Sequence, residues 1–351
     1  MSAALRVAIT ADPYIPVPPV HYGGIERVID FLVRGLASRG HEVTLVAHPG
    51  SRTPAALVPY GSGRHFGRAE RLAELAQVGG ALWARRDRVD VVHSFGRLAA
   101  LLPVLPMRRV GKVQSYQRES VPWGSCAVAA ALAGDSLRFT GCGTHMWDRD
   151  ENGDRARWRT VFNGVELARY PFRPAVPADA PLVFLGRLDR IKGAHHAIDV
   201  ARASGRRLVL AGPRTEHGDE AAYFDRAIAP HVDGAAVSWI GPVDDARKAA
   251  LLGGAAALLM LVEWDEPFGI VMAEALACGT PVIGFARGSV GEVVRDGVTG
   301  FTCRDANGAV AAVARLGSID RAAARADCEA RFSSESIVAQ YESLYREVGH
   351  R

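Results

Sequence analysis

Two carboxylates eight positions apart, Glu266 and Glu274, bracket a Pro-Phe-Gly step in the stretch EPFGIVMAEALACGTPVIGFARGSVGE, residues 266–292. Ile270, Met272, Ala273, Leu276 and Ala277 recur at the spacing of one helical face; Pro281 ends that helix and releases a short apolar strand, Val282 to Phe285. An acid-bearing loop therefore runs through Phe268 and Gly269 into a helix start at Ile270, where unpaired backbone N–H groups suit an anion. One acid lies in the loop and the other one to two turns inside the helix, so both could face one pocket at different depths. A polyhydroxylated ligand carrying phosphate would use all of these groups; two ordinary surface acids are the alternative. A second concentration of chemistry lies upstream, in Gly186-Arg187-Leu188-Asp189-Arg190-Ile191-Lys192-Gly193. Arg187 offers a phosphate a fork of donors and Lys192 a compact charge on the same loop, and the alternative is a solvated basic turn.

The elements that must carry these residues read as two α/β halves. Leu5 to Thr10 forms a buried strand, the proline-rich loop from Asp12 fits neither helix nor central strand, and Val28, Ile29, Leu32, Val33 and Leu36 fall at helical spacing before a second strand, His41 to Ala47. That is a βαβ unit, with Gly23-Gly24 in the loop where open parallel sheets bind ligands. Lacking side chains, the two glycines would let the backbone approach a diphosphate or sugar; a plain turn is the alternative. Residues 50–70 read as a polar loop, Leu72 to Arg86 as helix, and Val89 to His93 as a strand whose terminal imidazole either lines a binding surface or serves the structure. Another strand closes at Gln117, and Asn163-Gly164 marks a turn. Residues 171–181, PFRPAVPADAP, hold four prolines and no periodicity, which is linker composition. The strand pattern restarts at Leu182 to Leu185, and the chain ends in an amphipathic helix carrying Ile337, Tyr341, Leu344 and Tyr345. The expected domains are 1–170, a linker 171–181, 182–331, and a terminal helix 332–351.

Taken together these segments resemble the retaining glycosyltransferases of family 4. The resemblance rests on the Glu-x7-Glu segment from Glu266 to Glu274, the Gly-Arg and Lys-Gly pairs at Gly186-Arg187 and Lys192-Gly193, the Gly-Gly-x-Glu loop at Gly23 to Glu26, Asn163-Gly164-Val165, and Asp296-Gly-x-x-Gly-Phe301. It implies the GT-B fold, an α/β arrangement of two Rossmann-like doubly wound parallel-sheet domains facing across a cleft. It also implies transfer of a sugar, with retention, from a UDP-, GDP- or similar nucleoside diphosphate sugar to a hydroxyl acceptor. Under it Arg187 and Lys192 neutralise the leaving diphosphate, and Glu266 contacts sugar hydroxyls or stabilises positive character at the transferred carbon. Gly23, Gly24, Phe268 and the Gly269 and Ile270 N–H groups join in donor binding, Glu274 takes the ribose hydroxyls, and the backbone near Ile240 lies beside the base. His93 and Gln117 would contact acceptor or sugar. Gln117 stands where the family carries a histidine, with Tyr116 as the alternative if the register slips, and glutamine still hydrogen-bonds a hydroxyl or phosphate oxygen. No covalent nucleophile is assigned, because the donor phosphate itself would help deprotonate the acceptor. No metal and no cofactor is expected, since the two cations already supply charge neutralisation.

Composition narrows the alternatives. At 351 residues the chain fits two domains, each able to bury a core, and 37 glycines suit tight turns and close helix–sheet packing. Five cysteines without a Cys-x-x-Cys pair read as free thiols in a reducing cytosol. The first residues show no secretory pattern, and the most apolar later run, Leu251 to Val262, is too short to span a bilayer. The net charge of +4 is uneven, with 21 cations against 14 acids over residues 1–165 and 21 against 24 beyond. Without a recognised nucleic-acid module, that asymmetry points to an anionic or lipid-linked acceptor, to peripheral membrane contact by the first domain, or to an arginine-rich surface alone. Secondary-metabolite precursors, lipid-linked saccharides and cell-envelope glycans all fit as acceptors, and oligomeric state has no signature. A nucleotide-sugar epimerase of the same fold, a relative of glycogen phosphorylase, and a non-catalytic sugar-nucleotide-binding protein are the competing functions.

Overall fold

A computed structural model describes residues 3–20, 23–61, 67–118, 120–148 and 154–349. Contacts divide the chain into one unit of Met1–Asn163 with Ser334–Arg351 and a second of Gly164–Ser333. In the first, strands β1 (Arg6–Thr10), β2 (Glu42–Ala47), β3 (Ala56–Pro59), β4 (Val91–Ser94), β5 (Gly111–Tyr116), β6 (Leu137–Gly141) and β7 (Trp158–Thr160) form one parallel sheet in the order β3-β2-β1-β4-β5-β6-β7. Helices α1 (Gly24–Ser38), α2 (Arg68–Arg85) and α3 (Trp123–Ala133) belong to this unit. The apolar stripe of α1, including Val28, Ile29, Leu32 and Leu36, is buried against the core of β1, β2 and β4. Residues 56–59, expected as loop, pair with β2 from Thr44↔Ala56 to Ala47↔Pro59. This strand sits at the sheet edge with no fully buried residue, so it lacks the apolar run that marks its neighbours.

The second unit repeats the plan. It contains β8 (Leu182–Leu185), α4 (Ala194–Ala203), β9 (Leu208–Ala211), α5 (Gly218–Ala227), β10 (Val237–Trp239), α6 (Asp245–Gly253), β11 (Ala257–Met260), α7 (Ile270–Ala277), β12 (Val282–Phe285), α8 (Val290–Val293), β13 (Gly300–Cys303), α9 (Ala306–Ala314) and α10 (Arg321–Phe332). Its parallel sheet runs β10-β9-β8-β11-β12-β13. Both sheets reverse strand order once, between β1 and β4 and between β8 and β11. Such a reversal parts the loops that follow the two central strands and leaves a crevice at their carboxyl ends. The last helix, α11 (Ser334–Gly349), belongs to the first unit and buries Ile337, Tyr341, Leu344 and Tyr345 in its core. It lies so close to α1 that a Cβ added at Gly35 would come within 2.7 Å of Val338.

Among the described residues no helix is long and apolar enough to cross a membrane. All five cysteines are buried free thiols.

Candidate active site

The loops that leave β8 and β11 carry the chemistry of the second unit. The first turns at Gly193, whose φ of +76° is open to glycine, and a Cβ there would sit 1.8 Å from the Leu261 carbonyl oxygen just beyond β11. The absence of a side chain is therefore what lets the two loops touch. Glu263 N–H donates to the Ile191 carbonyl across the same seam at 2.9 Å. Lys192 Nζ then lies 2.7 Å from Glu266 Oε2 and 4.6 Å from the centre of the Trp264 ring, while the Trp264 indole N–H donates to the same carboxylate oxygen at 3.0 Å. Glu266 is 8% exposed. These two donors supply the hydrogen bonds that a carboxylate so far out of water needs.

Arg187 projects from the same β8 loop, half exposed, with one guanidinium nitrogen 2.9 Å from the buried carboxylate of Asp189. Thr215 donates to the other Asp189 oxygen at 2.7 Å, which fixes that carboxylate and the angle of the arginine. The guanidinium keeps further donors for a ligand.

Gly269, with φ +68°, caps the start of α7; a Cβ there would collide with Met260, Met272 and the Glu266 side chain. Phe268 beside it is buried edge-on against Phe332. One turn further, Glu274 is 2% exposed, and its Oε1 accepts from the Tyr170 hydroxyl at 2.6 Å and from Lys248 Nζ of α6. Its Oε2 is buried with no hydrogen-bond partner among the described residues. An orphaned carboxylate oxygen in the interior is an acceptor waiting for a donor from outside the chain. The Glu266 backbone is clamped from behind, where Ser289 N–H and Oγ both donate to its carbonyl, and Gly288 lies too close to admit a Cβ. Ile240, at the carboxyl end of β10, donates its N–H to the Leu210 carbonyl and is partly exposed.

In the first unit Gly23 precedes α1 and a Cβ there would meet Glu26 and Pro19 at 2.7 Å, whereas a Cβ on Gly24 would meet nothing within 4 Å among the described residues. His21 and Tyr22 of this loop lie outside the described residues. Glu26 is buried at the first turn of α1, and burial, reinforced by Asp12, raises its carboxyl pKa. Beyond β5, the side-chain amide atoms of Gln117 are buried without a protein hydrogen bond among the described residues. Tyr116 turns the other way, into the aromatic core beside Phe139 and Trp158, with its hydroxyl on Cys126. His93 is fully buried: Nδ1 meets the Tyr345 hydroxyl at 2.6 Å, Nε2 meets Ser115 Oγ at 2.7 Å, and burial draws its pKa down to about 3. Both ring nitrogens are committed to the core, so of its two readings the geometry favours the structural one.

The spacing of the sequence therefore led to Lys192, Glu266 and Glu274, but not to Lys248, Tyr170, Asp189, Trp264 or Ser289, which hold them. Trp264 alone left a local signal, two residues before Glu266. The triplet Asp148-Arg149-Asp150 has the Asp-x-Asp form of a metal-binding turn; Asp148 pairs with Arg155 at 3.3 Å, and the other two lie outside the described residues.

Comparison with known proteins agrees with this geometry. Residues 173–329 match the family Glycosyl transferases group 1, and residues 22–116 match Glycosyltransferase Family 4. A glycogen synthase of Mycobacterium tuberculosis is 28% identical over 362 residues, covering 88% of this chain and 85% of the relative. An alpha-maltose-1-phosphate synthase of the same organism is 27% identical over 403 residues, covering 98% and 100%. Among solved structures, AviGT4, a glycosyltransferase involved in Avilamycin A biosynthesis, superposes with a TM-score of 0.74 at 28% identity, over 99% of this chain and 98% of that one. With two Rossmann-like parallel sheets and these relatives, the chain is a glycosyltransferase of the GT-B fold, related to the family 4 and group 1 enzymes, that moves a sugar from a nucleoside diphosphate sugar to an acceptor.

Proposed function

We propose that transfer proceeds with retention of anomeric configuration and that the donor is held by the loops after β8 and β11. The observation that carries this reading is the orphaned Oε2 of Glu274, buried one helical turn beyond an N–H-rich helix start. A ribose hydroxyl would satisfy that oxygen, which sets the diphosphate against the Gly269 and Ile270 N–H groups and the sugar against Glu266. Arg187 and Lys192 meet the charge that grows on the diphosphate as the glycosidic bond breaks, so their contribution is largest in the transition state. They take the part a metal ion would otherwise play at the leaving group. The departing phosphate oxygen accepts the acceptor proton on the same face, and Glu266 supports the oxocarbenium-like carbon without forming a covalent bond to it.

In the first unit, taken by itself, Gly23-Gly24 offers side-chain-free backbone and the Gln117 amide a hydrogen-bonding group for a hydroxyl. The Ile240 backbone borders the base, which leaves little side-chain record of UDP against GDP. That AviGT4 is involved in Avilamycin A biosynthesis supports a small-molecule acceptor, and the five buried thiols agree with a reducing cytosol.

A screen of nucleoside diphosphate sugars, followed by an acceptor screen with the donor that binds, tests the reading. Arg187→Ala and Lys192→Ala should each lower kcat/KM by about 100-fold or more while leaving circular dichroism unchanged. An early-time NMR spectrum should show the product anomer with the donor's configuration. Inversion would remove the retaining assignment, and failure of every nucleoside diphosphate sugar to bind would remove the site.

A further inference from the structure

Just past Gly193 in sequence, two neighbouring imidazoles converge on one carboxylate. His195 and His196, in the first turn of α4, place their Nε2 atoms 3.4 Å and 3.1 Å from the same oxygen, Oε1 of Glu263. The three ligand atoms all lie within 4.8 Å of one another. Around a tetrahedral Zn²⁺ with bonds of about 2.0–2.2 Å, neighbouring ligand atoms stand roughly 3.3–3.6 Å apart; the 3.4 Å spacing lies in that range and the 3.1 Å spacing has to open slightly to reach it. We propose that His195, His196 and Glu263 form a binding site for one divalent transition-metal ion of the zinc type, separate from the donor groups.

The surroundings are built for it. The Tyr223 hydroxyl lies 2.7 Å from His195 Nδ1 and its ring packs edge-on against the imidazole. With Nε2 on a metal, the ring proton sits on Nδ1 and donates to that hydroxyl oxygen, the orienting contact that metal-bound histidines require. His196 is held edge-on by Phe285. The Glu263 backbone is pinned at both ends, its N–H on the Ile191 carbonyl and its own carbonyl accepting from Arg287. Arg190 approaches only the other carboxylate oxygen, at 3.7 Å, from a side chain that is 66% exposed. The ligand side chains retain 22%, 26% and 32% exposure, which leaves an entry path and room for water to complete the coordination. A metal here would tie the start of α4 to the loop after β11, bracing the seam from which Lys192 and Glu266 project.

The test uses the full chain stripped with chelator and dialysed against Zn²⁺ alone, or titrated with Co²⁺ and followed by its visible absorption. One equivalent should bind, with the absorption of a low-coordinate nitrogen–oxygen site. His196→Ala and Glu263→Gln, both at partly exposed positions, should each weaken binding by at least about 10-fold with unchanged circular dichroism. The melting-temperature rise on adding metal should disappear in both. No stoichiometric binding, a hexaaquo-like Co²⁺ spectrum in the unsubstituted chain, or binding that neither substitution reduces would overturn the proposal; none of these outcomes depends on sugar transfer.

Discussion

The Glu274 carboxylate is held from one side only, with Tyr170 and Lys248 sharing Oε1 and Oε2 left bare in the interior. Replacing it by alanine leaves the largely buried Lys248 ammonium with Asp245 at 3.5 Å and takes an acceptor from the Tyr170 hydroxyl, a loss of about 1–3 kcal/mol. Urea denaturation of Glu274→Ala should show a loss of that order. Glu274→Gln keeps the shape and one acceptor oxygen, so it should stay folded but bind the nucleotide about 10-fold more weakly, measured by calorimetry. An unchanged affinity would mean that Oε2 is not a ribose acceptor. The carboxylate itself was legible because it lies on one helix with its motif. Its partners were not, because Lys248 is 26 residues away and Tyr170 is 104, and only the fold makes them neighbours. His93 shows why two readings stayed open: a histidine at a strand end looks the same in sequence whether it faces a ligand or lies, as here, between two hydroxyls in the core.

At the scale of elements, alternation of apolar runs and helical stripes was enough to find both doubly wound sheets, because parallel strands covered on both faces must be apolar throughout. It missed β3, an edge strand without that burden. The contact between the loops after β8 and β11 depends on Gly193 more than on either charged residue. Gly193→Ala adds a Cβ 1.8 Å from a backbone oxygen at a left-handed φ, so the Lys192 loop must lift away from β11. The substitution should destabilise the second unit by about 2 kcal/mol or more and lower kcat/KM at least as far as Lys192→Ala does. Gly205→Ala makes the comparison, because its φ is also left-handed yet nothing lies within 4 Å of the added Cβ. It should cost stability with little effect on transfer, and equal kinetic losses at the two glycines would show that the seam does not position Lys192.

Across the whole molecule the chain leaves the first unit at Asn163 and returns to it with α11, so the fold of that unit waits for the last sixteen residues of helix. Tyr341 and Tyr345 are among its largest fully buried side chains, and removal of a buried aromatic costs about 3–5 kcal/mol. A chain cut after Ser333 should therefore lose the cooperative melting of the first unit in calorimetry, a loss that two such residues alone account for against a typical total of about 5–15 kcal/mol. The same helix sets a pH response. Native His93, between Tyr345 and Ser115, is neutral down to about pH 3 because burial opposes its charge, whereas an unfolded histidine titrates near 6.5. Between those values the unfolded chain holds the extra proton, so stability falls as pH drops below about 6.5. Glu342 on the same helix, paired with Arg346 and Arg39, has its pKa pulled down to about 2 and adds an acid loss only as pH falls below the ordinary carboxylate range. Of these two groups, only the histidine changes its proton count between about pH 5 and 6.5. In that window His93→Gln, which keeps hydrogen-bonding atoms but cannot titrate, should flatten the fall in stability with pH by about one proton. An identical slope in urea titrations at pH 5.0 and 6.5 would place the acid sensitivity elsewhere in the molecule.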